Sequence, residues 1–240
     1  MSENLVELDD VMVSFRNKEV LKGISFAIRK GEILGLAGES GSGKSTIART
    51  ILGLLSPKAG TVTKHTAEPQ MIFQDPYGSL NPAYSISWIM QEPLRLHTKL
   101  GAEERQKKVL EMLAEVGLPE NVAGHKPAEL SGGQRQRVCI GTALMRSPEL
   151  LIADEPVSAL DVTVAAQVLA LLKRLHDEKG LSMLFISHDL RTMYHFCDRI
   201  LILKDGKIIE EGVPAELYRE PKEEYTKLLL QSAGIRKEQE

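Results

Sequence analysis

The run Gly38-Glu39-Ser40-Gly41-Ser42-Gly43-Lys44-Ser45-Thr46 constrains this chain more than any other stretch. It fits the pattern G-x-x-x-x-G-K-[ST], in which glycines let backbone N–H groups turn inward around a polyphosphate. Gly31 to Ala37 before it is a short apolar run with strand character, and Ile47 to Gly53 after it starts a helix. Strand, glycine loop and helix are the context the motif requires. A flexible Gly/Ser linker would not set Lys-Ser-Thr on a helix start behind an apolar strand. The helix N-terminus adds positive partial charge. From there Lys44 can reach β- and γ-phosphates, and the Ser45 hydroxyl can ligate Mg²⁺.

The chain has 240 residues, enough for one large domain or two small ones with a sizeable core. Hydrophobic residues make up 42% and charged residues 26%, as in ordinary globular proteins. A net charge of −3 gives no general electrostatic grip on nucleic acid, so no nucleic-acid partner is expected. Cys139 and Cys197 stand far apart and outside any metal-ligand spacing. Two such thiols point to a reducing compartment and to packing roles. Met1 to Asp10 lacks an apolar signal core, and no apolar run approaches the ~20 residues of a membrane span. The expectation is a cytoplasmic protein, with any membrane part supplied by another chain.

Leu5 to Val13 and Ile24 to Ile28 alternate like strands, with Asn17-Lys18 in the turn region between them. Lys44 to Leu54 reads as a helix, residues 61 to 70 as polar and irregular, and Met71-Ile72-Phe73 as a short buried strand. Pro76, Gly78, Pro82 and Pro93 are expected to break the following segment repeatedly. Residues 102 to 116 form a helix: Glu103 and Glu104 lie in its first turn, and Val109, Leu113 and Val116 form its apolar stripe. Residues 76 to 146 therefore read as mostly helical, inserted between two α/β portions. Asp161 caps a helix running to Lys179 that Gly180 stops. Ser182 to Ile186 is a strand, and Asp205-Gly206 marks a hairpin between Ile200–Leu203 and Lys207–Glu210. No internal repeat is present.

Leu150-Leu151-Ile152-Ala153-Asp154-Glu155 is an apolar strand ending in two acids. In a phosphate-loop protein, an Asp at such a strand end holds Mg²⁺, and Glu155 is then placed to orient or deprotonate the attacking water. In Leu130-Ser131-Gly132-Gly133-Gln134, Ser131 is a natural N-cap for a helix from Gln134 to Met145, and two glycines expose N–H groups at the helix start. That builds a second anion site, or else a plain glycine-rich cap; the local sequence leaves both open.

These segments, with Gln74, Ser158-Ala159-Leu160-Asp161 and His188, fall in the order and spacing of ATP-binding cassette ATPases, which the chain resembles from about residue 4 to 233. No other phosphate-loop family carries Leu-Ser-Gly-Gly-Gln between its two nucleotide motifs. The fold the resemblance implies is α/β: a P-loop NTPase (RecA-like) core, an inserted helical subdomain and a small antiparallel β subdomain. It implies a single domain over 1–233, with 1–75 and 147–233 as nucleotide-binding core, 76–146 as helical signature subdomain, and 234–240 as a frayed tail. ATP and Mg²⁺ are its cofactors.

Residue by residue, the resemblance implies that Phe15 stacks on adenine and that Gly38, Glu39, Ser40, Gly41, Ser42, Gly43, Lys44, Ser45 and Thr46 hold the phosphates. Ser45, Gln74 and Asp154 serve the metal. Glu155 is the catalytic base, and Gln74, Lys44 and His188 complete the catalytic set. Ser131 and Gly133 bind the γ-phosphate of ATP held by a second protomer, Gly132 and Gln134 belong to the same nucleotide-binding turn, and Asp161 lies in the loop crossing that dimer interface. The remaining histidines, His65, His97, His125, His176 and His195, are read as surface or core residues.

Ile72 to Pro82, Ile152 to Val162, and Glu220-Pro221 followed by Tyr225 to Leu229 resemble the dipeptide, oligopeptide and nickel importer ATPases. Arg137-Val138-Cys139 and His195-Phe196-Cys197 are closer to the nickel members. The implied protein is a peripheral ATPase on the cytoplasmic face of the cell membrane. Its implied partners are transmembrane permease subunits, a second ATPase subunit and, indirectly, an extracytoplasmic substrate-binding protein. Alternatives are a soluble cassette outside transport and a non-hydrolysing structural cassette. The chain departs from the pattern in a short Gly60–Met71 stretch, which is expected to trim the small antiparallel sheet. It carries no cysteine-rich C-terminal extension, so no iron–sulfur cluster is implied. Gly141-Thr142 stands where Ala-Arg is common, and a mid-helix Gly costs about 1 kcal/mol relative to Ala.

Overall fold

The computed structural model describes residues 3–16 and 18–235. Asn17 of the expected turn, and the expected tail from residue 236 on, lie outside them. In chain order the first elements are β1 (Asn4–Phe15), β2 (Lys18–Arg29), β3 (Ile33–Ala37), α1 (Lys44–Ile51), β4 (Ala59–Lys64) and β5 (Gln70–Ile72). A helical stretch follows: α2 (Pro76–Ser79), α3 (Ile86–His97), α4 (Ala102–Glu115), two short 3₁₀ turns and α5 (Gly132–Leu144). The chain then returns to α/β alternation with β6 (Leu150–Asp154), α6 (Val162–Lys179), β7 (Ser182–Ile186), α7 (Leu190–Phe196), β8 (Arg199–Lys204), β9 (Lys207–Gly212), α8 (Pro214–Arg219) and α9 (Glu224–Ser232).

Two sheets organise these elements. One is antiparallel, of order β2-β1-β4; the other has six strands in the order β5-β6-β7-β3-β8-β9. In the second, β5 through β8 run parallel and only β9 is antiparallel, closing the hairpin at Asp205-Gly206. Every residue of β3, β6 and β7 is buried, as a parallel sheet covered on both faces requires. Alternate residues feed two cores. Leu151, Ala153, Met183 and Phe185 enter the one shared with α5, α6, α7 and the helical stretch. Leu150, Ile152, Leu184 and Ile186 enter the one shared with β1, β2 and α1.

A buried ion pair ties the sheets where β8 begins. The Arg199 Nε lies 2.7 Å and its Nη2 3.1 Å from the two Glu32 oxygens, and Nη2 also donates to the Ala27 carbonyl at 2.7 Å. The fork of donors satisfies a carboxylate that could not stay buried alone.

Four expectations need correction. The stretch expected to be irregular over 61 to 70 opens with the last four residues of β4, whose Val62 pairs Leu8 and Thr63 pairs Glu7. It is an edge strand with only Val62 half-buried, so it leaves no apolar alternation to read; its β-branched residues and backbone ladder hold it. Phe73 is 46% exposed, beyond the end of β5 rather than buried in it. Pro93 breaks nothing: it lies inside α3, where burial of Ile86, Ile89, Met90 and Leu94 outweighs the ~3 kcal/mol a helix proline costs. Helix ends also shift, α1 stopping at Ile51 and α5 starting at Gly132. Gly141 gains a structural reason, since a Cβ there would lie 3.0 Å from Met90 Cε and 3.2 Å from Met112 Cγ, where α3 and α4 press on α5.

Candidate active site

Parallel neighbours β5, β6, β7 and β3 end on one edge of the sheet, where α/β folds place their ligands. Each is followed at once by a segment singled out in the sequence. Gln74 comes two residues after β5, Asp154 closes β6 with Glu155 next, His188 comes two residues after β7, and Gly38 follows β3. Strand order alone therefore brings together four segments that lie far apart in the chain.

Glu155 sits at the centre. Gln74 Nε2 donates to its Oε2 at 3.3 Å, and His188 Nδ1 lies 3.1 Å from its Oε1. Its neighbours in the sheet explain the pairing, because β6 lies between β5 and β7. Its backbone is in the left-handed region, with φ 48°, and its N–H donates to the Ile186 carbonyl at 2.9 Å. That conformation, uncommon for a non-glycine residue, turns the carboxylate off the strand and toward the loop edge.

In the loop between β3 and α1, Gly38, Ser42, Gly43 and Lys44 are buried, Ser45 and Thr46 half-buried, and Glu39, Ser40 and Gly41 exposed. Gly38 (φ 155°) and Gly43 (φ 116°) cannot be replaced without strain: a Cβ on Gly38 would lie 2.3 Å from the Leu203 carbonyl oxygen, and one on Gly43 2.8 Å from Leu21 Cδ2. Lys44 Nζ donates to the Gly38 and Glu39 carbonyls, both at 2.8 Å. Burial lowers the Lys44 pKa against the opposing charges of Glu155, Asp154 and Glu39. Burial raises that of Asp154, with the Ser45 side chain beside it working the other way. Ser42 Oγ is buried without a hydrogen-bond partner, and a Cβ on Gly41 would meet nothing within 4 Å. An orphaned donor and an open glycine rim suit a phosphate, and the oxygen pair Ser45 and Asp154 suits magnesium.

The second glycine turn is built differently. Ser131 Oγ accepts from the Gln134 N–H at 3.3 Å and the Gln134 Oε1 accepts from the Ser131 N–H at 3.0 Å, a reciprocal capping box. A Cβ on Gly133 would lie 2.4 Å from Val164 Cγ1, and one on Gly132 3.6 Å from Leu160 Cδ2. Gly133 thus lets α5 start directly against the first turn of α6, where Asp161 Oδ1 accepts from the Val164 N–H at 3.0 Å, while a side chain at Gly132 would make only ordinary contact. Ser131 and Asp161, the N-caps of α5 and α6, are both exposed.

Phe15 is exposed at the end of β1, opposite Lys18. Farther along, β2 runs past Gly43 and Gly206 through Val20 and Leu21. Two neighbours of the site escaped the sequence reading. Tyr225 reaches the phosphate loop from α9, and Val164 backs Gly133. No local pattern marks Tyr225 as a loop contact, whereas Val164 could have been found as the α6 residue one turn past the Asp161 cap.

Comparison with known proteins follows this geometry. Residues 21–158 match the ABC transporter family. The oligopeptide transport ATP-binding protein AppF of Bacillus subtilis is 42% identical over 260 residues, covering 97% of this chain and 79% of that protein. The oligopeptide transport ATP-binding protein OppF of Streptococcus pyogenes serotype M1 is 44% identical over 256 residues, 98% and 83% of the two chains. The dipeptide transport ATP-binding protein DppF of Haemophilus influenzae is 43% identical over 227 residues, 88% and 69% of the two. Among solved structures, the dimeric post-hydrolysis state of the ATP-binding cassette MJ0796 bound to ADP and Pi superposes with a TM-score of 0.77 at 32% identity, covering 87% of this chain and 98% of that one. CbiO1 from Clostridium perfringens, part of the ABC transporter complex cbiONQ, gives 0.81 at 26% identity, covering 98% and 96%. The chain belongs to the ABC transporter family as an ATP-hydrolysing cassette, in the branch of the oligopeptide and dipeptide transport ATP-binding proteins.

Proposed function

We propose that this chain binds and hydrolyses ATP as the energising subunit of an importer for oligopeptides or dipeptides, at the cytoplasmic face of the cell membrane. The observation that carries the proposal is the convergence of Gln74 and His188 on Glu155, beside the Lys44 loop, in a chain whose relatives bear transport ATP-binding names. Glu155 takes the proton of the attacking water, and Gln74 and His188 hold the carboxylate in place. Lys44 leaves its two carbonyls for the phosphates and meets the charge that develops on them. The loop 38–46 cradles the phosphates and Phe15 stacks on the adenine. Mg²⁺, when bound, neutralises charge on the β- and γ-phosphates; Ser45, Asp154 and Gln74 would hold it.

In this reading Ser131–Gln134 and Asp161 face a second ATPase subunit, and ATP lies between the two. The dimeric MJ0796 cassette supports that arrangement. Residues 1–75 and 147–233 form the nucleotide-binding core of one domain, and 76–146 its helical signature subdomain. Membrane permease subunits dock near Gln74 and residues 75–97, and an extracytoplasmic binding protein delivers the substrate to them. CbiO1, part of a transporter complex, supports assembly with other subunits. Among the described residues no helix is long and apolar enough to cross a membrane. Nickel is the weaker cargo, since the relatives named above carry peptide names. Phosphate release by the chain co-purified with its permease, with and without peptide-loaded binding protein, tests the reading. Peptide-stimulated release supports it; release indifferent to the permease favours a cassette outside transport.

A further inference from the structure

The segment Tyr225 to Leu229 has no part in the chemistry above, yet it touches the phosphate loop. Tyr225, on α9, is 9% exposed, and its hydroxyl oxygen accepts the Glu39 N–H at 3.2 Å. That N–H belongs to the same peptide unit as the Gly38 carbonyl, which accepts from Lys44 Nζ at 2.8 Å. In a trans peptide the N–H and C=O point in opposite directions. One peptide plane is therefore held from outside by Tyr225 and from inside by Lys44.

The surroundings make the hold stiff. Gly38 is pressed on the Leu203 carbonyl oxygen, the site of the 2.3 Å approach of its would-be Cβ. Lys204, the next residue, places its Nζ 4.6 Å from the centre of the Tyr225 ring. The start of α9 is fixed in turn by Glu210, whose carboxylate accepts from the Lys222 N–H at 2.8 Å and the Glu223 N–H at 3.2 Å. Thr226, next along, is fully buried.

We infer that Tyr225 is a positioning residue for ATP binding: its hydroxyl fixes the Gly38–Glu39 peptide, so that Lys44 and the loop meet the phosphates already ordered. A loop that must be ordered at the moment of binding loses affinity by that cost. The inference rests on the reading that this loop and Lys44 hold ATP.

The test compares Tyr225→Phe with Tyr218→Phe by displacement of a fluorescent ATP analogue, alongside steady-state ATPase kinetics. Tyr218 is the control because its hydroxyl donates to the Leu190 carbonyl at 2.6 Å, a partly buried bond between α8 and α7 that does not involve the loop. Tyr225→Phe is expected to weaken ATP binding and raise KM about fivefold, the scale of one net hydrogen bond, with kcat within twofold. Tyr218→Phe is expected to leave both unchanged. Equal nucleotide affinity in wild type and Tyr225→Phe, or the same shift in both variants, overturns the inference. Lys44→Ala separates the two layers: if it binds ATP as wild type does, the reading of the loop itself fails.

Discussion

The Gln74 amide donates to the Glu155 carboxylate at 3.3 Å although 81 residues separate them. The bond exists because β5 and β6 are parallel neighbours, so residues just past their ends must meet. The carboxylate is held there from both sides, by Gln74 and by His188 Nδ1 at 3.1 Å. Replacing Glu155 by Gln keeps the size and removes the base. Turnover is expected to fall by ~100-fold or more while ATP binding persists, the scale of general-base loss. Phosphate-release rates under saturating ATP check this; near-normal turnover takes Glu155 out of the catalytic role.

The approach of Gly133 to Val164 yields a paired prediction. Gly133→Ala places a methyl group 2.4 Å from Val164 Cγ1, and overpacking of this kind costs ~1–3 kcal/mol. Thermal melts should show the loss in the single variant and its recovery in Gly133→Ala with Val164→Ala. A single variant as stable as wild type would mean that α5 and α6 do not meet so closely.

Phe15 stands exposed near the strand that backs the phosphate loop. If adenine stacks on it, Phe15→Ala should weaken ATP by roughly threefold to tenfold, the worth of one aromatic stack. Titration with ATP and with tripolyphosphate distinguishes the cause, since only the nucleotide should lose affinity. Equal affinity of wild type and variant for ATP places adenine elsewhere.

The thiols give a pH dependence. Burial, with the Asp75 charge adding to it, pushes Cys139 up to about 12, and burial raises Cys197 as well. The native state thus holds protons that the unfolded chain releases near pH ~8.5. The associated stability is whole below that pH and declines as pH rises from there toward 12. Alkylation of native Cys139 should be slow at pH 8 and rise about tenfold per pH unit, while the urea-unfolded chain is labelled readily at pH 9. Peptide mass spectrometry after iodoacetamide treatment reads both; rapid native labelling at pH 8 contradicts the burial.

Where local chemistry decides the outcome, the sequence was legible. Asp161 and Gly180 bound α6 as cap and stop, with the cap bond to Val164 and a left-handed Gly180 in place. The strand Ser182–Ile186 and the hairpin at Asp205-Gly206 stand where their patterns put them. Lys44 and the Asp154-Glu155 pair were singled out by the glycine loop and the acid-ended strand, and His188 only by the resemblance to ATP-binding cassette ATPases. What stayed hidden depends on partners distant in the chain. β4 is held by β1 rather than by its own apolar face, and Pro93 stays helical because α3 is buried on one side. The fit of Gly141 against Met90 and Met112, and the reach of Tyr225 to Glu39, come from packing that no window of sequence contains.

Sedimentation of the Glu155→Gln variant with and without Mg-ATP tests the central claim most directly. If ATP is clasped between the Lys44 loop of one copy and the Ser131 turn of another, the variant should sediment as a monomer without nucleotide and as a dimer with it, and Ser131→Arg should abolish the shift. A variant that binds ATP yet stays monomeric at every ATP concentration would contradict the account.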